Sequence, residues 1–222
     1  MFEVPKIMKK IYEKEIIFES KISYFFNSNK KSRAIFFDRD GVLIKDMHYL
    51  SNPNDVFLEK GVIELMKYAL HNSIPVFIVT NQSGISRKLF TWNDYIAVTN
   101  KMMDLIGIPH PIVGIYSNSY LTLENNFWRK PNPGMIFKAA NKFKINLKDS
   151  ILVGDRLTDL KAGLNAGIGN LVHVLTGHGL DERKRVFDFT NQEKQYFEMQ
   201  STNIYLMKNL LELLEKIQNK TH

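Results

Sequence analysis

Two carboxylate side chains stand two residues apart at the end of an apolar run. The run covers residues 33–37, and Asp38, Asp40 and Gly41 come next in the chain. In an extended segment residues i and i+2 point to the same side, so both carboxylates can reach one site. One carboxylate can attack a phosphorus atom once a cation and fixed donors neutralise the phosphoryl group, while the second protonates the leaving oxygen. Alone, the pair also fits a metal-binding motif or an ordinary turn.

Three further polar clusters follow later apolar runs. The segment 80–83 offers a hydroxyl and backbone N–H groups that can hold phosphate oxygens, although capped turns use the same residues. Arg129 and Lys130 supply a guanidinium fork and a point charge, both suited to phosphate. Asp155 can complete an all-oxygen magnesium site. Asp159 either orients its neighbours or is an acid that the helix dipole favours.

Strands alternate with helices around these clusters. Apolar runs predict strands at 33–37, 74–79, 112–116, 150–153 and 170–175, and the helical spacing of apolar residues predicts helices at 61–72, 92–106, 133–144 and 158–166. This alternation predicts an α/β fold, a Rossmann-like parallel sheet with helices on both faces. Ligands bind at the carboxyl edge of such sheets, so the four polar clusters are expected to meet there. Together they indicate a catalytic site far more strongly than each does alone.

The two ends of the chain follow different patterns. Residues 1–32 are rich in lysine and aromatic residues and too apolar for a disordered tail, so we expect a helix and a strand that pack on the core or on a second subunit. Near the C-terminus, apolar residues on one helical face predict a core-packing helix, with a partner-binding helix as the alternative: Ile204, Met207, Leu210, Leu211, Leu214 and Ile217. We therefore divide the chain into an N-terminal extension (1–32), a catalytic domain (33–217) and a C-terminal tail (218–222).

The amino-acid composition excludes several kinds of protein. The 222 residues carry a net charge of +7 and contain no cysteine, which excludes disulfides and cysteine-bound zinc and fits a cytoplasmic location. No run reaches the roughly 18 apolar residues of a transmembrane helix, and the N-terminus lacks the pattern of a signal peptide, so no membrane partner is expected. The basic balance suits a small phosphorylated substrate. Nucleic acid is the less favoured partner, because it requires a clustered basic face.

The amino-acid sequences of the four clusters resemble the motifs of a known family. FFDRDGVL, TNQSGI, RKPNPGM and VGDRLTDLKAG resemble the four motifs of the haloacid dehalogenase-like superfamily, and most closely the branch with heptose bisphosphate and histidinol-phosphate phosphatases. The resemblance covers about residues 33–217. It implies a Mg²⁺-dependent phosphatase in which Asp38 attacks phosphorus, Asp40 is the general acid and base, and Thr80 and Lys130 steady the phosphoryl group.

The resemblance also implies ligands for the metal and the substrate. The implied magnesium ligands are Asp38, the backbone carbonyl of Asp40, and Asp155. The implied substrate contacts are Asp46, His48, Tyr49, Asn81, Gln82, Ser83 and Arg129. The connections between predicted elements are short, which leaves no room for a large cap domain and predicts an open site.

One loop departs from the family pattern. Members of this branch usually carry a Cys/His zinc loop before the RKP motif, but residues 117–128 contain neither residue type, so zinc is not expected as a cofactor of this protein. Tyr120, Leu121, Phe127 and Trp128 are expected to pack the loop instead. Because this loop helps to shape the substrate site in the family, the resemblance does not fix the substrate.

Several functions remain open on the sequence. The favoured one is a sugar-phosphate phosphatase that acts on a heptose bisphosphate for cell-surface polysaccharide. Histidinol-phosphate phosphatases and polynucleotide 3′-phosphatases share much of the motif sequences. The basic net charge and the aromatic loop also fit a polynucleotide 3′-phosphatase. A non-catalytic interaction module is the least favoured, because every catalytic role is filled. Residues 1–32 are a candidate dimerisation segment.

Overall fold

The computed structural model describes residues 7–20, 32–190, 196–199 and 201–219. The strands are β1 (Ile7–Ile11), β2 (Glu15–Ser20), β3 (Ile35–Phe37), β4 (Val76–Asn81), β5 (Ile112–Asn118), β6 (Ile151–Gly154), β7 (Asn170–His173), β8 (Tyr196–Met199) and β9 (Thr202–Leu206). The helices are α1 (Val62–His71), α2 (Ser83–Ser86), α3 (Trp92–Ile106), α4 (Gly134–Phe143), α5 (Leu157–Ala166), α6 (Gly179–Thr190) and α7 (Leu210–Asn219).

All described strands belong to one sheet with the order β1-β2-β5-β4-β3-β6-β7-β9-β8. The central six, from β5 to β9, pair in parallel, whereas β1 and β8 are antiparallel additions at the two edges and β2 pairs antiparallel with β5. β3 lies between β4 and β6, so the residues after these three strands meet at one edge. This arrangement confirms the predicted Rossmann-like α/β fold and brings the polar clusters together.

Helices cover both faces of the sheet. Side chains alternate along β3, and Ile35 and Phe37 join the core beneath α1, α3 and α7, while Phe36 joins the core beneath α4, α5 and α6. At the carboxyl edge, segments 38–61 and 119–133 hold single-turn helices and isolated bridges, and no separate cap domain occurs in the ranges described. Within those ranges, no helix combines the length and the apolar character that crossing a bilayer requires.

The strands and helices predicted between residues 33 and 175 are confirmed with small shifts at their ends, and α3 matches its predicted bounds. The prediction for the C-terminus is partly wrong. Ile204 lies in β9, Met207 follows it, and the helix begins only at Leu210. Pairing with β7 and β8 on either side overrides the helical spacing, because a strand at this position completes two ladders of hydrogen bonds. The helix α6 was not predicted.

The N-terminal prediction is also partly wrong. Residues 7–20 form two strands rather than a helix and a strand, and residues 21–31 lie outside the described residues. Ile16 and Ile17 point to opposite faces of β2 and enter the two cores, so this segment extends the sheet. The predicted boundary at residue 32 stays a prediction, although described residues on both sides of it share one sheet.

Candidate active site

The nucleophile candidate Asp38 follows β3 directly. Its backbone N–H donates to the carbonyl of Val153 in β6 (3.0 Å), which fixes the start of the loop beside the neighbouring strand. The residue is buried, and its Oδ1 accepts a hydrogen bond from the Arg39 backbone N–H (2.7 Å). Lys130 Nζ lies 3.0 Å from the same oxygen. Both contacts are made to Oδ1, so Oδ2 is the oxygen that can approach a phosphorus atom.

Lys130 lies buried between two carboxylates. Its Nζ is 2.6 Å from Asp159 Oδ1 and 3.0 Å from Asp38 Oδ1. The second oxygen of Asp159 accepts a hydrogen bond from the Arg156 backbone N–H (3.0 Å), which anchors the carboxylate at the start of α5. Burial opposes the charge of the lysine, but Asp159 and Asp38 outweigh it and raise the pKa of Lys130. The lysine therefore stays charged beside the candidate nucleophile, and Asp159 is placed to orient it.

Three buried carboxylates form a candidate cation site. Asp38, Asp155 and Asp159 offer oxygens that all lie within 4.8 Å of one another. Asp155 Oδ2 accepts a hydrogen bond from the His178 backbone N–H (2.8 Å), whereas its buried Oδ1 has no hydrogen-bond partner among the described residues. Burial is the main cause that raises the pKa of Asp38 to about 6 and that of Asp155 to about 8. Because a divalent cation would compensate these charges and Mg²⁺ prefers oxygen ligands, the residues fit magnesium.

Two glycines allow the loops around this site to touch. Gly41 has φ +79°, and a Cβ there would lie 2.4 Å from Asp155 Oδ2. Gly177 has φ +55°, and a Cβ there would lie 2.4 Å from the Gly41 Cα. The loop after β7 therefore meets the loop after β3 beside the carboxylate and brings His178 to the site. His178 had no role predicted from the sequence. The glycines on either side of it, shortly after a predicted strand, could have indicated one.

A buried arginine that the sequence analysis did not single out holds Asp40. Arg39 is only 1% exposed, and its Nε and Nη2 donate to the two carboxylate oxygens of Asp40 (3.1 and 2.9 Å). Its Nη1 donates to Thr99 Oγ1 (3.1 Å), and the guanidinium lies 4.6 Å from the centroid of the Tyr95 ring. Gln82 Nε2 donates to Asp40 Oδ2 as well (2.7 Å). Three donors therefore fix the orientation of the proposed acid and base.

The segment after β4 positions its neighbours. Thr80 is buried at the end of the strand, and its Oγ1 accepts a hydrogen bond from Gln82 Nε2 (2.8 Å). Asn81 Oδ1 accepts from the Lys130 backbone N–H and its Nδ2 donates to the Lys130 carbonyl, both at 3.1 Å. Asn118, at the end of β5, donates to the same Asn81 oxygen (2.9 Å). The predicted substrate contacts of Asn81 and Gln82 stay predictions, but both side chains already hold catalytic candidates in place.

A pocket of about 400 Å³ lies over these residues, and every predicted site residue except Asp155 lines it. Its lining therefore includes the predicted substrate contacts Asp46, His48, Tyr49, Ser83 and Arg129. Further guanidinium groups that had no predicted role also line it, those of Arg87, Arg156 and Arg185. Five carboxylates line the same pocket, those of Asp38, Asp40, Asp46, Asp159 and Glu182, so cationic and anionic groups alternate around it. The guanidinium groups are the part of this lining that can bind an anionic ligand.

Hydrogen bonds fix part of the rim of this pocket. Arg129 Nη1 donates to the carbonyl of Tyr120 (2.8 Å), and Arg87 Nη1 donates to Tyr49 Oη (2.8 Å). Burial, followed by the charges of Arg87 and Arg156, lowers the pKa of Arg129. All three guanidinium groups line the same pocket, where a bound anion would reduce the repulsion between them.

Aromatic side chains pack the loop over residues 117–128. The Trp128 ring lies 6.3 Å from that of Tyr116, and the Phe127 ring lies 6.2 Å from that of Phe137. The expected packing is therefore confirmed for Trp128, which lies against the core, whereas Phe127 contacts Phe137 but is 57% exposed. The expectation that this loop holds no zinc stays a prediction.

Comparisons with known proteins agree with this geometry. The family model described as polynucleotide kinase 3 phosphatase matches residues 33–196. The D-glycero-alpha-D-manno-heptose-1,7-bisphosphate 7-phosphatase of Campylobacter jejuni is 37% identical over 170 residues, covering 76% of this chain and 94% of that protein. The D-glycero-beta-D-manno-heptose-1,7-bisphosphate 7-phosphatase of Helicobacter pylori is 36% identical over 146 residues, covering 65% and 83% of the two chains.

Solved structures show the same fold. The D,D-heptose 1,7-bisphosphate phosphatase of B. bronchiseptica, solved with magnesium and phosphate, has a TM-score of 0.70 at 24% identity, covering 85% of this chain and 99% of that one. At this identity the likeness shows the fold alone. The family model carries the assignment further, because residues 33–196 include the motifs that form the pocket, and the C. jejuni relative is similar over 76% of this chain. The chain therefore belongs to the polynucleotide kinase 3 phosphatase family and is a haloacid dehalogenase-like phosphatase.

Proposed function

We propose that the protein hydrolyses a phosphate monoester of a heptose 1,7-bisphosphate with Mg²⁺, through a phosphoaspartate formed on Asp38. The observation that carries the proposal is the environment of the Asp38 carboxylate. Lys130 and a backbone N–H bind its Oδ1, Asp155 offers an oxygen to a shared cation, and a pocket that several guanidinium groups line opens above it. Bound magnesium would supply charge neutralisation for the phosphoryl oxygens beside Asp38 and Asp155.

The first step transfers the phosphoryl group to the enzyme. Asp38 Oδ2 attacks phosphorus, the bond between phosphorus and the sugar oxygen breaks, and the protonated Asp40 gives its proton to that oxygen. Lys130 and Thr80 hold the phosphoryl oxygens while negative charge moves to the leaving group. Asp40 is ready for this task because Arg39 and Gln82 fix its direction.

The second step releases phosphate. Asp40, now ionised, takes a proton from a water molecule, and the water oxygen attacks the phosphorus of the phosphoaspartate. The bond between phosphorus and Asp38 breaks, which yields inorganic phosphate and restores the free carboxylate. Asp40 is protonated again and ready for the next cycle. The same side chain therefore serves as acid in one step and as base in the other.

The proposed substrate rests on the relatives and on the basic lining of the pocket. Both relatives described above act on heptose 1,7-bisphosphates by their names, one on the alpha and the other on the beta form. A bisphosphate needs a second anion site away from the reacting phosphate. The guanidinium groups of Arg87, Arg129 and Arg156 line the pocket and can bind phosphate oxygens in pairs.

A polynucleotide 3′-phosphatase is the second candidate. The description of the matching family model favours it, as does the net charge of +7. Phe127 is 57% exposed on the loop that precedes Arg129, and exposed aromatic rings can stack on bases. Binding of this kind would weaken steeply as salt increases, because it depends on contacts with backbone phosphates.

A panel of substrates tests the proposal. Phosphate release is measured with Mg²⁺ on both anomers of the heptose bisphosphate, histidinol phosphate, other sugar phosphates and a 3′-phosphorylated oligonucleotide, with Asp38→Asn as the control. We expect preferential turnover of one heptose anomer, and none with Asp38→Asn. Turnover of the oligonucleotide alone would transfer the assignment to the second candidate, and equal activity of Asp38→Asn would refute the phosphoaspartate.

Four expectations from the sequence stay predictions: the cytoplasmic location, the role in cell-surface polysaccharide, the division into residues 1–32, 33–217 and 218–222, and dimerisation through residues 1–32. α7 ends at Asn219, two residues beyond the predicted end of the catalytic domain. Light scattering of the full chain tests dimerisation. A mass that corresponds to one subunit would exclude dimerisation through residues 1–32.

A further inference from the structure

A second group of metal-ligating side chains lies at the mouth of the pocket. Asp46 and His48 come from the segment between β3 and α1, and His178 directly precedes α6. One ligand atom from each of the three lies within 4.8 Å of the others. All three side chains line the same pocket, and each is at least partly exposed, so the group is accessible from solution.

Contacts between the three side chains hold them close. Asp46 Oδ2 lies 2.7 Å from His178 Nε2, and the rings of His48 and His178 have centroids 5.7 Å apart. Asp46 Oδ1 accepts a hydrogen bond from the His48 backbone N–H (2.9 Å), which sets the turn that presents the imidazole. Bonds of about 2.0–2.2 Å in a tetrahedral zinc site separate the ligand atoms by roughly 3.3 Å. Small rotations of these side chains therefore suffice to reach that geometry.

Neighbouring charges do not disqualify the group as a cation site. Arg185 also lines the pocket, but it forms an ion pair with Glu182 on the same helix. Arg87 donates to Tyr49 Oη, which directs one of its nitrogens to that hydroxyl group. Glu182 therefore compensates the charge of Arg185, whereas Arg87 keeps its charge and is held away from the group by its bond to Tyr49. Asp46 contributes a negative charge to the group.

We propose that Asp46, His48 and His178 form a second cation site, which takes Zn²⁺ or a similar transition metal. Its donors differ in kind from those of the catalytic site. Imidazole nitrogens suit zinc, whereas the carboxylates of Asp38 and Asp155 suit magnesium. The site is separate from the loop over residues 117–128, which contains no cysteine and no histidine. Only the tertiary structure brings its members together, because His48 and His178 are 130 positions apart in the sequence.

A cation at this position would join two sides of the pocket. It would connect the segment that follows β3 to the start of α6, and the backbone N–H of His178 already donates to Asp155 Oδ2 (2.8 Å). Three protein ligands leave a coordination position for an oxygen of another molecule. The expected substrate contacts of Asp46 and His48 are compatible with this arrangement, because a substrate oxygen would then be the fourth ligand.

Metal binding by the full chain tests the proposal without relying on enzymatic activity. With excess Mg²⁺ present to fill the carboxylate site, Zn²⁺ is titrated in competition with a chromophoric chelator, and Co²⁺ is followed by its visible absorption. We expect zinc binding that weakens about tenfold or more in His48→Gln and in His178→Gln. His71→Gln is the matched control, because His71 is an exposed histidine at the end of α1, and this variant should bind zinc as the parent does.

Two further measurements separate this site from the catalytic one. Asp155→Asn should weaken Mg²⁺ binding and leave zinc binding unchanged. Zinc should raise the melting temperature of the parent in excess Mg²⁺, and the increase should disappear in His178→Gln. No measurable zinc binding by the parent, or equal binding by the parent and by folded His48→Gln and His178→Gln variants, would overturn the proposal whatever the panel of substrates shows.

Discussion

Replacing Arg39 by methionine should impair both stability and turnover. The arginine is almost fully buried, and its guanidinium donates to both oxygens of Asp40 and to Thr99 Oγ1 while lying over the Tyr95 ring. Methionine fills part of the space but donates none of these hydrogen bonds. Asp40 would then keep the bond from Gln82 and lose the two that fix the plane of its carboxylate.

The expected loss of stability follows from these contacts. Hydrogen bonds that involve a charged group contribute about 1.5–3 kcal/mol each. The Asp40 side chain is 26% exposed, so water can replace part of what Arg39 gave it. We therefore expect a net loss of about 3 kcal/mol in the free energy of unfolding, which is less than the sum of the hydrogen bonds that Arg39 donates. In a chain of this length, that corresponds to a fall of about 6–12 °C in melting temperature.

The expected loss of activity concerns kcat. General acid–base catalysis contributes about 10²–10⁴-fold, and a misaligned Asp40 would lose part of that, so we expect kcat to fall about 10- to 100-fold. KM should change little, because Arg39 lies beneath Asp40 rather than among the predicted substrate contacts. Arg39→Lys keeps the charge without the fork and should fall between the parent and Arg39→Met.

Steady-state phosphate release and thermal unfolding measure these effects. Thr99→Val is the matched control, because it removes one partner of Arg39 and leaves both bonds to Asp40 in place. It should cost about 1–3 kcal/mol of stability by leaving a buried donor unpaired, with kcat nearly unchanged. If Arg39→Met folds and keeps the kcat of the parent, the reasoning that Arg39 positions the acid and base is refuted.

Three other predictions concern the metal site and the sheet edge. Lys130→Met should reduce kcat at least about 100-fold, because it removes a cation beside developing charge, and an unchanged kcat would contradict this role. In metal-free protein, burial raises the pKa of Asp155 from 3.8 to about 8 and that of Asp38 to about 6, so the folded state holds more protons than the unfolded one. The free energy of unfolding should therefore fall as pH rises through this range. Mg²⁺ should raise the melting temperature more at about pH 9 than at about pH 5. An equal rise at both pH values would contradict the burial of ionised carboxylates as the cause. Among the described side chains, deleting residues 1–20 removes the buried Ile16, Ile17 and Phe18, at about 1.5–3 kcal/mol each, and exposes the edge of β5. Urea unfolding should therefore occur at lower concentration, and light scattering should show aggregation.

The order of the strands depended on contacts that no local pattern encodes. Ile204 illustrates this, because its spacing from Met207 and Leu210 suits a helix, yet it pairs in β9 between two other strands. Residues 15–20 likewise take their conformation from pairing with β5. In both segments the apolar residues were correctly expected to be buried, but hydrogen bonds to distant strands decided between helix and strand.

The surroundings of the site were also decided by the tertiary structure. The sequence showed Arg39 only as a charged residue between two aspartates, and charged residues are rarely buried without partners. Its partners Thr99 and Tyr95 come from α3, about 60 residues further along the chain. His178 reached the pocket in the same way, through a close approach of two glycine-containing loops.

By itself, the sequence determined the α/β alternation and the placement of Asp38, Thr80, Lys130 and Asp155 after successive elements. These features are local, since an apolar run specifies a buried strand and a polar turn must follow it at the surface. The tertiary structure decided which groups touch: Asp159 against Lys130, Arg39 beneath Asp40, and His178 beside Asp46. Such contacts depend on the strand order and on side-chain direction, which are fixed only when the whole sheet and its two layers of helices pack together.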